Sequence, residues 1–214
     1  MLALPAHGFV MLSLPKSAST SVVRTVQRHA EVVLRVNPGL KHINCGQFHQ
    51  LVVPLLRKGG YRRKDYELCV MFREPVEWLE SWWRYRSRPQ LEENADRFTG
   101  EQSFEGFALD YLERPDPLRG RPARFVSMSK ELDVGVDRIF RLEAPEVWQG
   151  WMSAKIGKDL SFPKANYSSA RAEPELTAAT RARLVEYFRP EYDIYDHLRD
   201  EGMWAPPNGY QPAR

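Results

Sequence analysis

The sequence predicts an α/β fold, a three-layer arrangement of a parallel sheet flanked by helices. Two observations carry that expectation. Short apolar runs alternate with helix-like stretches along the chain. Two of those runs, at 8–14 and 66–72, lead straight into small polar or cationic residues and then into a helix start, the usual layout of a strand–turn–helix unit. A chain of 214 residues, 43% hydrophobic, can enclose one sizeable core, so a single domain is expected over 1–205. The turn-rich stretch 206–214 is expected to be a loosely held tail.

The elements follow in order. Residues 8–14 give the first strand, and residues 20–35 the first helix. A helix over 45–58 comes next, then a buried strand at 66–72 built on Leu68, Cys69, Val70, Met71 and Phe72. Pro75 suits the first turn of a helix over 75–88, because its missing N–H costs nothing there. Residues 86–102 are polar, contain Pro89 and Gly100, and read as a loop or lid. Ser103 offers an N-cap hydroxyl for a helix running to Leu112. After a break from Pro115 to Pro122, Phe125-Val126 and the stretch Val136 to Leu142 are strand candidates. Helices are expected from Glu146 to Lys155, stopping near Gly157, and from Glu173 to Phe188, stopping at Pro190.

The chemistry concentrates in Leu14-Pro15-Lys16-Ser17-Ala18-Ser19-Thr20-Ser21. A strand, a tight turn of small hydroxyl residues with one lysine, and a helix start together make an anion cradle. Open backbone N–H groups, the positive end of the helix dipole and a full lysine charge all favour a phosphate-like guest. The alternative is a plain strand–helix junction with Ser19 or Thr20 as an ordinary N-cap. The loop is not the nucleoside-triphosphate motif, which wants G-x-x-x-x-G-K-[ST]; here the lysine comes first and glycine is absent.

A second anion site is written in 68–88. Arg73 stands at the end of the strand and Ser81 eight residues on, two turns into the helix. An arginine fork and a serine hydroxyl can grip one phosphate together. Trp78, Trp82 and Tyr85 recur at helical spacing, a stripe that is expected to be mostly core.

The two motifs, in this order and separation, resemble the PAPS-dependent sulfotransferases, where PAPS is 3′-phosphoadenosine-5′-phosphosulfate. Pro15-Lys16-Ser17-Ala18-Ser19-Thr20 is similar to the family's 5′-phosphosulfate loop, and Arg73-x-Pro75 with Ser81 to its 3′-phosphate site. Many members carry glycine where Ala18 stands; alanine resembles the carbohydrate branch typified by heparan sulfate 2-O-sulfotransferase. Asn166-Tyr167-Ser168 and the stretch Tyr187 to Asp196 resemble later family segments, so the likeness spans about 8–199. An Arg-Lys-Gly triplet, which helps hold the 3′-phosphate in the cytosolic branch, is absent, which leaves further phosphate and adenine contacts unassigned. The resemblance implies a P-loop-like architecture and transfer of a sulfuryl group from PAPS to a hydroxyl of a carbohydrate or similar polar acceptor, releasing PAP (adenosine 3′,5′-bisphosphate). It also implies cofactor binding by Pro15, Lys16, Ser17, Ala18, Ser19, Thr20, Ser21, Arg73 and Ser81. The rival readings are a P-loop small-molecule kinase and a PAP-binding protein without catalytic activity.

Catalysis would need leaving-group charge neutralised, which suits Lys16, and an acceptor proton removed. Histidine is the natural base, and there are five: His7, His29, His42, His49 and His197. His42 follows Lys41, a pair similar to one in carbohydrate-type members, and is the expected base; Glu74 and Glu77 are the carboxylate alternatives. No acidic cluster is placed for magnesium, so no metal is expected. A net charge of +3 suits an anionic ligand without demanding nucleic acid. The basic cluster Arg57 to Lys64 reads as a solvated turn. Cys45 and Cys69 offer neither metal spacing nor a disulfide framework. Without an apolar run long enough to span a membrane or a leader-like start, the expected location is cytoplasmic.

Overall fold

A computed structural model describes residues 1–93, 98–114, 120–163 and 174–213. Six strands form one sheet: β1 (Leu2–Leu4), β2 (Phe9–Leu12), β3 (Val32–Val33), β4 (Glu67–Phe72), β5 (Arg138–Arg141) and β6 (Met203–Trp204). Their spatial order is β3-β1-β2-β4-β5-β6. The helices are α1 (Ser19–Val26), α2 (Pro38–Lys41), α3 (Cys45–Gln47), α4 (Val53–Lys58), α5 (Pro75–Arg86), α6 (Phe104–Glu113), α7 (Pro122–Val126), α8 (Pro145–Ile156), α9 (Ala178–Tyr187) and α10 (Arg189–Asp196). A π-helical stretch, Phe48–Val52, joins α3 to α4, so the helix expected over 45–58 runs through with a local change of pitch.

The expected α/β class holds, but the sheet is mixed rather than parallel. β2, β4 and β5 are parallel, whereas β1 pairs antiparallel with both β2 and β3, and β6 pairs antiparallel with β5. The antiparallel strands are two or three residues long and take their geometry from the strand beside them. The chain turns from β1 into β2 within four residues, and Gly8 closes that turn with φ +75°. β3 cuts short the first expected helix: α1 ends at Val26, and Val32 and Val33 pair with β1. β-branched residues fit a pleated edge better than a helix end.

Alternate residues of the central strands feed opposite faces. Val10, Leu12, Leu68, Val70, Phe72 and Ile139 pack with Phe48, Leu56, Val126 and Ile194. Phe9, Met11, Cys69, Met71 and Phe140 face the other way, onto Val22, Val23 and Val26 of α1 and Trp148, Met152 and Ile156 of α8. Both faces are therefore covered, as a parallel centre requires. A third cluster joins α5, α6 and α9 through Trp78, Leu79, Trp83, Phe104, Phe107, Leu184 and Phe188.

Two further expectations change. Phe125-Val126 is not a strand; it lies in α7, which starts with Pro122 in its first turn. A short apolar run is ambiguous between helix and strand, and tertiary contacts decide here. The decisive one is Glu191, fully buried, whose carboxylate accepts from the Ala123 amide at 3.2 Å and from the Arg121 guanidinium. Pro190 does not close the helical region; it occupies the first turn of α10, which begins at Arg189. The Ser103 cap forms as expected, its Oγ accepting from the Gly106 amide at 3.1 Å. The segment after Pro206 is tied down: the Tyr210 carbonyl accepts from the Val134 amide, its hydroxyl donates to Asp193, and its ring meets Trp204 edge-on. Among the described residues no helix is long and apolar enough to cross a membrane.

Candidate anion-binding site

The two motifs leave the sheet side by side. β2 and β4 pair in parallel register, Leu12 opposite Val70, so the loop at 13–18 and Arg73 emerge at the same carboxyl edge. That edge is where α/β sheets hold ligands.

The loop is strained and pinned. Lys16 (φ 66°) and Ala18 (φ 50°) are left-handed, two of the three such non-glycine residues among those described. Each such conformation costs on the order of 1–2 kcal/mol and persists only where surroundings enforce it. The enforcement is visible. The Trp78 indole donates to the Pro15 carbonyl at 3.0 Å, and Trp78 is itself fully buried. The Ser21 hydroxyl donates to the Pro163 carbonyl at 2.6 Å, which spends its proton away from the loop. Ala18 is the N-cap of α1 and has no side-chain oxygen to cap it. Ser19 and Thr20 lie inside the first turn, so neither is an ordinary N-cap, and the first amides of α1 are left without a side-chain acceptor.

Lys16 is surrounded by positive charge. Its ammonium lies 4.3 Å from the Tyr85 ring centroid and 5.7 Å from that of Trp82. Burial, then Arg88, Arg73 and Lys41, bring its pKa down to about 7. Aromatic faces favour the cation, but they do not supply a counter-charge. Three buried donors on these elements also lack hydrogen-bond partners among the described residues: Ser17 Oγ, Arg73 Nε and Trp82 Nε1. Orphaned buried donors cost about 1–3 kcal/mol each, so each calls for an acceptor. Arg73 does touch Glu77, at 3.5 Å, a long and partly exposed contact. Ser81 is half-buried on α5, one turn from both Trp78 and Tyr85.

The stripe on α5 divides. Trp78 is core, as expected, whereas Trp82 and Tyr85 are half-buried and face Lys16. Sequence reasoning missed these two as site residues, together with Arg88, whose guanidinium lies 5.1 Å from the Tyr85 centroid. The only signal for the two aromatics was their helical spacing with Trp78.

His42 stands beside this edge. It ends α2, whose Asn37 caps the Gly39 and Leu40 amides. Its Nδ1 meets the Ser13 carbonyl at 2.5 Å. A carbonyl only accepts, so Nδ1 carries the proton and Nε2 holds the free lone pair. Burial and the positive charges of Lys41, the amino group of Met1 and Lys16 hold its pKa below the usual imidazole range, although the Ser13 carbonyl opposes them. The ring is therefore neutral and fixed, which is the state a general base requires.

The other histidines lie elsewhere. His49 feels Arg63 and Asp137, which precede β4 and β5, so it sits at the opposite end of the parallel strands. His7 and His29 meet edge-on beside the β1–β2 turn, and His197 stacks on Trp204 at 4.1 Å. Glu74 is occupied: it caps the Glu77 amide and accepts from the Tyr192 hydroxyl. Burial and the nearby Glu143 and Glu74 charges raise the Glu77 carboxyl, while Arg73 opposes them. Among the described residues no three of His, Cys, Asp and Glu come together as a metal-binding group. The stretch Asn166 to Ser168 lies outside the described residues.

No protein-family model matches the chain, and no curated protein matches it in sequence.

Proposed function

We propose that the chain is a sulfotransferase that moves the sulfuryl group of PAPS to a hydroxyl of a carbohydrate or similar polar acceptor, releasing PAP. One observation carries this reading. Buried donors of Ser17, Arg73 and Trp82 that lack hydrogen-bond partners among the described residues lie on the two motifs that flank Lys16, whose ammonium makes no ion pair among the described residues, at the shared edge of two parallel strands. A ligand with phosphate at two ends fits that donor set. Lys16, Ser17 and the first amides of α1 would hold the phosphosulfate end, and Arg73 with Ser81 the 3′-phosphate, in competition with Glu77. When bound, PAPS supplies an activated sulfuryl group with a phosphate leaving group.

The chain's own residues do the rest. Lys16 offers positive charge where leaving-group charge grows, in a site dry enough to strengthen it. His42 Nε2 accepts the acceptor's proton while Nδ1–H stays on the Ser13 carbonyl, which keeps the ring oriented. Burial, with the nearby positive charges, makes His42 a weaker base than free imidazole and favours its neutral form.

The test is PAP release from PAPS across a panel of sugar, phenol and amine acceptors, with ATP as the competing donor. Turnover with PAPS that falls about 100-fold or more in Lys16→Ala is the expected result. Phosphoryl transfer from ATP with none from PAPS would overturn the reading in favour of a kinase.

A further inference from the structure

Tyr85 gathers two cations on one ring. Lys16 Nζ is 4.3 Å from its centroid and the Arg88 guanidinium 5.1 Å. Arg88 makes no ion pair among the described residues; the Tyr85 face is its side-chain partner. Its backbone is fixed by the turn that closes α5, where its amide donates to the Tyr85 carbonyl and its carbonyl accepts from the Leu91 amide at 2.9 Å. The arginine is thus delivered to a set place rather than left to roam.

Two like charges sharing one ring repel each other, and each aromatic contact is worth only about 0.5–2 kcal/mol. The arrangement is favourable when an anion lies between them. Arg88 is also the largest charge acting on Lys16, ahead of Arg73 and Lys41, and no carboxylate among the described residues opposes it there. The Trp82 ring lies beside the same ammonium, and its buried indole N–H has no hydrogen-bond partner among the described residues.

We propose that Arg88, presented by the Tyr85 ring, is a further anion-binding residue that closes with Lys16 on the same tetrahedral oxyanion of a phosphorylated ligand. The proposal rests on the anion-site reading above and adds a third cationic arm to it. An arginine suits this task because its planar fork reads two oxygens at once while its flat face stays on the ring.

The test is calorimetric titration of the whole chain with PAP and, separately, with inorganic pyrophosphate. Arg88→Gln should weaken PAP binding about 10-fold or more, as loss of a charge-assisted contact does. Arg88→Lys should recover only part of it, because an ammonium keeps the charge but not the fork. Arg62→Gln, an equal charge change at an exposed position on the far end of β4, is the control for net charge. Tyr85→Leu should weaken binding at least as much as Arg88→Gln, since it removes the platform for both arms. PAP affinity unchanged in Arg88→Gln would overturn the role of Arg88 and leave the nucleotide reading standing. Pyrophosphate bound by the wild type and lost in Arg88→Gln, without PAP binding, would sink the nucleotide reading and keep the Arg88 arm. A wild type that binds neither probe would end both.

Discussion

Lys16 should take up a proton when its anion binds. The free ammonium titrates at about 7, because burial and three neighbouring cations disfavour its charge. At pH 8 only about one Lys16 in ten is then protonated. A bound phosphate supplies the missing negative charge and returns the group toward the ordinary lysine range, so binding draws in about 0.9 proton per site. Calorimetry of PAP binding at pH 8 in buffers of different ionisation enthalpy reads this directly: the observed heat should change linearly with buffer enthalpy, with positive uptake. His42 is neutral at that pH before binding, which keeps its contribution small. The same lysine makes a stability prediction. The gap between 10.5 and about 7 corresponds to roughly 5 kcal/mol of disfavoured charge. Below pH 7 the folded and unfolded chains both carry the proton, so the folded protein bears the whole cost. From pH 7 to 10.5 the unfolded chain holds a proton that the folded one has shed, so the wild type gains stability as pH rises. Lys16→Met, apolar and similar in length, should therefore be more stable than wild type below pH 7, with the difference fading by pH 10. Buffer-independent heat, together with identical stability curves for the two proteins, would refute the idea of an uncompensated ammonium.

Three further outcomes follow from the geometry. PAP should bind at least 10-fold more tightly than AMP by calorimetry, and Arg73→Gln or Ser81→Ala should narrow that gap, since only the 3′-phosphate uses this pair; equal affinities for AMP and PAP in the wild type would remove the second site. His42→Ala should abolish transfer to a hydroxyl with PAP affinity nearly unchanged, and wild-type kcat should fall on the acid side at a pH below the ordinary imidazole range; His49→Ala, at the other end of the strands, should retain turnover. Arg121→Leu should cost about 3–5 kcal/mol in a denaturant titration, because it strands the fully buried Glu191 carboxylate.

Much of this was legible in the chain because it is local. The runs at β2 and β4, the proline that opens α5, the Ser103 cap and the stop at Gly157 are each specified within a few residues. β1, β3 and β6 were not legible: a strand of two or three residues exists only because a longer neighbour offers an edge. α7 escaped for a related reason, since its first turn depends on Glu191, 68 residues away from Ala123. Within the site, Lys16, Arg73 and His42 announce their chemistry by type and position. Trp82 and Tyr85 do not, because the same helical spacing serves core and cavity alike, and only the approach of the 15–18 loop tells them apart.

The bond from Trp78 to the Pro15 carbonyl has a consequence for selectivity. α5 begins two residues after Arg73, clasps the lysine loop at Trp78, and carries Ser81, Trp82 and Tyr85 before ending just short of Arg88. One rod of 12 residues, about 18 Å long, therefore sets the separation between the two proposed anion positions. It works as a caliper for the proposed pair of anions: one jaw rides on the helix itself, and the other, the lysine loop, is held to it at Trp78. Salt and pH can loosen the grip at either jaw without altering the span that is measured.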